Sequence, residues 1–123
     1  MSASPARLVL KITCGPEALE RLNQGLTVAA TALASGVDVS LWLTGEATWM
    51  AVPGRAEALD LPHAAPLAEL RDAVLGSGTL TVCGQCAARR SLTDADLVEG
   101  AQIRGAAAFV EEVMAPGTQA LVY

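Results

Sequence analysis

Between Arg7 and Leu43 the chain changes its hydrophobic period twice, and this restricts the folds open to it. Arg7 to Thr13 (RLVLKIT) alternates and is rich in Leu, Val and Ile, the pattern of a strand. Cys14-Gly15-Pro16-Glu17 breaks the run. Pro16 suits a first helical turn, where its missing N–H has no partner to lose, and Glu17 and Glu20 face the positive end of the helix. Leu19, Leu22, Leu26, Ala29, Ala30 and Leu33 then recur at three- and four-residue steps, and Gly36 stops the helix. Val37 to Leu43 (VDVSLWL) is the second strand. Strand, helix and strand in that order form a βαβ unit, whose two strands run parallel.

The rest of the chain repeats the alternation. Residues 44–66 carry Gly45, Pro53, Gly54, Pro62 and Pro66 and read as a long loop with a short helical piece near Trp49. Leu67, Leu70, Ala73 and Val74 mark a second helix, ended by Gly76-Ser77-Gly78, and Thr79 to Cys83 is a third strand. A turn or short helix carries Cys86 to Arg90. Thr93 reads as a cap with Asp94 and Asp96 behind it, in a short helix that Gly100 ends. A brief strand is expected at 101–103, a helix at 104–114 and a last strand at 118–123. The expected fold is a three-layer α/β/α sandwich around a five-stranded, mostly parallel sheet.

With 123 residues the chain is expected to form one domain over 1–123. A domain of this size buries roughly two thirds of its unfolded surface and needs no disulfide or metal to fold. Its composition is 52% apolar but includes only four aromatics, Trp42, Trp49, Phe109 and Tyr123. The core must therefore be built from Ala, Val and Leu. The formal charge of −5 and the single lysine, Lys11, argue against nucleic acid or an anionic membrane as partner. Met1 to Arg7 shows no apolar signal region, and no stretch approaches the ~18 apolar residues of a membrane span. A cytoplasmic protein is expected, in which three cysteines are working thiols or small core residues.

Ligands of open parallel sheets gather at the carboxyl ends of the strands. Cys14-Gly15, Thr44 to Trp49 and Cys83 to Arg90 should share that edge. Cys14 reads as a small buried residue. If strands one and three are neighbours, it also lines the site of Cys83. Cys83 has a physical reason to be reactive: a helical turn beginning at Gly84 would aim free N–H groups at the sulfur and favour the thiolate. Arg89 and Arg90 are close enough in sequence to add positive potential, although one of them is expected to be an ordinary surface residue. Trp49 reads equally as a lid over the cysteine edge and as a core plug. Cys83-Gly84-Gln85-Cys86 also fits a redox pair or half a zinc site, but the only further soft ligands are Cys14 and His63, so no metal is expected. The loop after strand one lacks a dinucleotide fingerprint, there is no phosphate loop, and no cofactor is expected.

In order and spacing the sequence resembles the DsrE/DsrF family, including its TusD branch of sulfur-relay proteins. The resemblance runs through nearly the whole chain. It rests on Ile12-Thr13-Cys14-Gly15-Pro16, on Trp49-Met50-Ala51, and most specifically on a strand-end cysteine followed by basic residues six and seven positions on: Cys83, Arg89 and Arg90. The acidic stretch Asp94 to Glu99, Gly100, Gly105 and a terminal strand complete it. The resemblance implies a five-stranded parallel domain that assembles with itself as a trimer or hexamer, or in mixed oligomers. It further implies a persulfide carried at Cys83 and passed between donor and acceptor proteins. The chain departs from the TusD pattern at Ser91, where a glycine follows the arginine pair, and in having Cys86. Sulfur transfer at Cys83, with Cys86 resolving or protecting it, is thus the leading expectation. A Cys83–Cys86 redox module and a non-catalytic oligomeric binding protein are the alternatives.

Overall fold

The computed structural model describes residues 7–123. The opening segment Met1 to Ala6, read above as free of a signal-like stretch, lies outside the described residues. Five parallel strands form one sheet: β1 (Arg7–Ile12), β2 (Asp38–Leu43), β3 (Thr79–Cys83), β4 (Gln102–Arg104) and β5 (Thr118–Val122). Their order is β4-β3-β2-β1-β5. Between them run α1 (Leu19–Ala34), α2 (Leu67–Ser77), α3 (Gly84–Arg89) and α4 (Ala106–Met114). Short 3-10 helices occupy Pro16–Ala18, Gly45–Ala51 and Asp94–Asp96. No described helix is long and apolar enough to cross a membrane.

Register decides what each face of the sheet does. Leu8, Leu10 and Ile12 of β1 lie beside Val39, Leu41 and Leu43 of β2, and with Leu80 and Val82 they form one continuous apolar face. Leu22, Leu26 and Ala29 of α1 and Leu67 and Val74 of α2 close over it. The opposite face alternates out of phase and is polar: Arg7, Val9 and Lys11 lie beside Asp38, Ser40 and Trp42. Thr79, Thr81 and Cys83 continue that face. α4 packs here through a buried acid: Glu112 accepts hydrogen bonds from Ser40 Oγ at 2.6 Å, Trp42 Nε1 at 3.1 Å and Arg104 Nη1 at 2.8 Å. Phe109 meets Trp42 edge to face, with ring centroids 5.3 Å apart.

The sequence expectations shift at several boundaries. The first helical stretch opens as a 3-10 turn before α1, and the segment behind Thr93 is only a 3-10 turn, closed by a reciprocal Thr93–Asp96 capping pair. The brief fourth strand lies at 102–104, one residue later than expected. The irregular 44–66 stretch is held by Arg71 of α2. This buried side chain binds Glu57 at 2.9 Å and Asp72 at 3.0 Å and donates to the Met50 carbonyl at 3.2 Å.

The two helix ends that follow α1 and α3 share a device. After α1, Gly36 N–H reaches Leu33 O and Val37 N–H reaches Ala32 O. After α3, Ser91 N–H reaches Ala88 O and Leu92 N–H reaches Ala87 O. Both are paired closures that need a left-handed residue, and both have one: Gly36 at φ 86° and Ser91 at φ 56°. Ser91 thus stands where a glycine is conformationally preferred. Ser91→Gly should raise the stability of the protein by about 0.5–1 kcal/mol, read as a higher urea midpoint, because it removes the Cβ penalty of this conformation. An unchanged or lower midpoint would show that the serine side chain compensates the strain.

Candidate functional site

Cys83 ends β3 and is the residue before the first turn of α3. Its backbone is still extended, at φ −62° and ψ 128°, so its side chain stays on the polar face of the sheet while the chain turns into the helix. The thiol is half-buried, whereas Cys14 and Cys86 are buried. Burial by itself would push the Cys83 thiol up. The Cys86 amide, the Cys86 thiol, the Gln85 amide and the charge of Lys11 act the other way and together hold it below the ordinary thiol range. The Gln85 and Cys86 amides that act on the sulfur belong to the first turn of α3. The Gly84 position needs no glycine for room, since a Cβ there would lie 3.7 Å from its nearest neighbours.

Cys86 points away from the solvent edge, toward the loop after β2. Its sulfur accepts a hydrogen bond from Gly45 N–H at 3.2 Å. Sequence reasoning missed this partner, because nothing in the local pattern relates Gly45 to Cys86. The same loop delivers Glu46, which binds Arg90 at 2.8 Å and accepts from Trp49 Nε1 at 3.1 Å. Arg90, and after it the indole, hold the Glu46 carboxyl below the usual carboxylate range. Arg90 also donates to the Cys86 carbonyl at 3.0 Å. Trp49 is half-buried against the core, with Arg55 stacked 4.2 Å from its ring centroid. The tryptophan is therefore both a plug and an outward surface, tied to α3 through Glu46 and Arg90.

Two of the sequence expectations take their place here. The arginine pair divides: Arg90 is engaged by Glu46, and Arg89 is the exposed surface arginine, on the last turn of α3. Cys14 shares the carboxyl edge of the sheet with Cys83, but β2 stands between β1 and β3. The strand ends are two spacings apart, roughly 10 Å, rather than one. Cys14 also belongs to the core layer on the opposite face, where its thiol contacts the Ala18 carbonyl at 3.8 Å and burial raises it above the ordinary thiol range.

Lys11 was not singled out by the sequence reading. Its signal lay in the alternation of RLVLKIT, which places Arg7, Val9 and Lys11 opposite the core face. Two open clefts, of about 580 and 280 Å³, lie along the start of α1 and the 61–64 loop, and neither is lined by Cys83. The thiol instead sits at the carboxyl edge of the sheet, at the end of β3. Among the described residues, no group of three His, Cys, Asp or Glu side chains gathers as a metal site.

Known proteins share this architecture and sequence pattern. The ychN protein from E. coli superposes with a TM-score of 0.77 at 16% identity, over 95% of this chain and 98% of that one. A protein of unknown function, MTH1491 from Methanobacterium thermoautotrophicum, superposes with a TM-score of 0.66 at 11% identity and the same coverage. These two likenesses concern the fold. An uncharacterized protein of Methanocaldococcus jannaschii, MJ0989, is 32% identical over 92 residues, which span 75% of this chain and 78% of the relative. The DsrE/DsrF-like family pattern matches residues 7–115, and the chain belongs to that family.

Proposed function

We propose that the protein is a cytoplasmic sulfur carrier in which Cys83 holds sulfur as a persulfide. The DsrE/DsrF-like family is linked in general to sulfur relay. The observation that carries the finer reading is the contrast among the three thiols. Cys83 alone is both partly open and held below the ordinary thiol range. In the first step the Cys83 thiolate attacks the outer sulfur of a donor persulfide, R–S–SH. The new bond is Cys83 S–S, the donor S–S bond breaks, and the donor leaves as R–S⁻. In the second step an acceptor thiolate attacks the outer sulfur and Cys83 leaves as thiolate, so no net oxidation occurs.

A half-buried thiol at the end of a strand on the sheet edge is within reach of a partner protein's cysteine. Assembly with further copies of this chain, as a trimer or hexamer, is part of the proposal. It is supported by Val110, Met114 and Val122, which are 55%, 75% and 64% exposed on α4 and β5.

A second reading has its own observation, the Cys86 thiol placed to interact with Cys83. A dithiol–disulfide module would use that pair, with Cys86 attacking Cys83 once an external oxidant or disulfide has activated it.

Mass spectrometry after incubation with a low-molecular-weight persulfide separates the readings. The expected result is one added sulfur atom mapped to Cys83, absent in Cys83→Ser and retained in Cys86→Ser. Sulfur on Cys14, or none on any cysteine, would overturn the carrier reading. A Cys83–Cys86 disulfide as the sole product would favour the redox module.

A further inference from the structure

Resting on the reading of Cys83 as the reactive thiol, we infer that Lys11 is the positioning residue that supplies the positive charge for its thiolate and, after loading, for the terminal sulfur anion. The sheet register carries the argument. Lys11 lies beside Trp42, Trp42 lies beside Thr81, and Cys83 is two residues further along the same face. Lys11 and Cys83 therefore share one face of the sheet, on strands that β2 separates.

Its ammonium is not neutralised there. Lys11 Nζ sits 3.9 Å from the centroid of Phe109, and no carboxylate within ion-pair distance holds it among the described residues. An aromatic face holds a cation in place while leaving its charge available. The other charges on this face are spent on each other. From β4, Arg104 lies next to Cys83 in register, but it binds Glu112 of α4 at 2.8 Å. From β1, Arg7 binds Asp38 at 3.6 Å and approaches the same Glu112 at 3.9 Å. From α3, Cys86 contributes a thiol. Among the described residues, Lys11 is thus a cation on the Cys83 face with no ion-pair partner, and it is the single lysine of the chain.

The direction of the Cys83 thiol agrees, since Lys11 is among the groups that lower it. Opposite charge on the same face as a half-buried group favours its ionised form. Phe109 has a second role in this arrangement. It packs on Trp42 and supports the ammonium, so α4 links the buried Glu112 cluster to the reactive edge.

The test is the pH dependence of iodoacetamide alkylation at Cys83, followed by peptide mapping, in the full chain. Lys11→Met should slow alkylation at neutral pH by about threefold and move the pH–rate midpoint upward, since less of the thiol is ionised. Lys11→Arg should restore most of the rate. A urea midpoint for each variant separates this effect from loss of folding, and Lys11→Gln gives a second neutral side chain if the methionine variant is unstable. An unchanged midpoint in both neutral variants would overturn the inference. A shift on Arg89→Gln with none on Lys11→Met would assign the charge to the arginine instead. No sulfur donor enters this experiment, so it can fail while persulfide loading succeeds, and the reverse.

Discussion

Replacing Glu112 by alanine should cost about 3 kcal/mol of stability, read as a lower urea midpoint at fixed protein concentration. The carboxylate is 6% exposed and serves four partners. Its removal has unequal consequences for them. Arg7 and Arg104 keep about a third of their side-chain surface in water, at 32% and 36%, and can turn outward. Ser40 and Trp42 are 0% and 1% exposed and cannot. Their hydroxyl and indole N–H would be left without an acceptor in a closed layer, and that desolvation dominates the loss. Glu112→Gln should cost about half as much, because one amide oxygen can still accept from both.

The same cluster gives a sign for the pH response. Burial would raise the Glu112 carboxyl, but Ser40, Trp42, Arg7 and Arg104 outweigh it, and the folded protein holds the group below its unfolded range. Such a group adds stability that is complete above the unfolded carboxylate range, near ~4.3, and is lost as pH falls through the lower, folded value. The wild type should therefore lose stability on acidification below about pH 5, and Glu112→Gln should lose less over the same interval. Parallel acid slopes for the two proteins would mean that the Glu112 carboxyl titrates alike in the folded and unfolded states.

Strands β1, β2, β3 and β5 were legible in the sequence because each carries a short β-branched or leucine-rich run, and α1, α2 and α4 carry apolar positions at helical spacing, whereas β4 and α3 are too short to show a period. What the pattern lacked was lateral order. β1 and β3 both end in a cysteine segment, yet nothing local says that β2 lies between them. That missing fact separated Cys14 from Cys83. The arginine pair divides for a related reason. Arg90 is near Cys83 along the chain, but one turn of α3 directs it to the Cys86 carbonyl and Glu46. Lys11 is far along the chain and shares a face with Cys83 only through the register. Glu112 was hidden differently. It sits among Phe109, Val110 and Val113 like a chance acid on a surface helix, and its burial follows from the polar face that Ser40 and Trp42 present.

The loop after β2 provides the second large effect, through Gly45. This residue has φ 53°, and a Cβ on it would stand 2.7 Å from the Thr13 carbonyl oxygen. Nearby, a Cβ on Gly15 would stand 2.5 Å from the Glu46 carbonyl oxygen, so the loops after β1 and β2 touch backbone to backbone here. Gly45→Ala must both adopt a left-handed conformation and open that contact, at a combined cost of about 2–3 kcal/mol. Gly36→Ala separates the two parts. Gly36 has φ 86° with nothing within 4 Å of its Cβ position, so it reports the conformational cost alone, about 1 kcal/mol. The difference between the two urea midpoints isolates the clash.

The displacement has a chemical consequence as well. Gly45 N–H is the donor to the Cys86 sulfur, and the next residue, Glu46, ties Arg90 and Trp49 to the same loop. Moving Gly45 away from Thr13 should break the 3.2 Å contact and uncover Cys86. Under native conditions Cys86 should then be alkylated several-fold faster in Gly45→Ala than in the wild type, while Gly36→Ala leaves its rate unchanged. Equal Cys86 rates in all three proteins would show that α3, rather than the loop after β2, is what keeps this thiol covered.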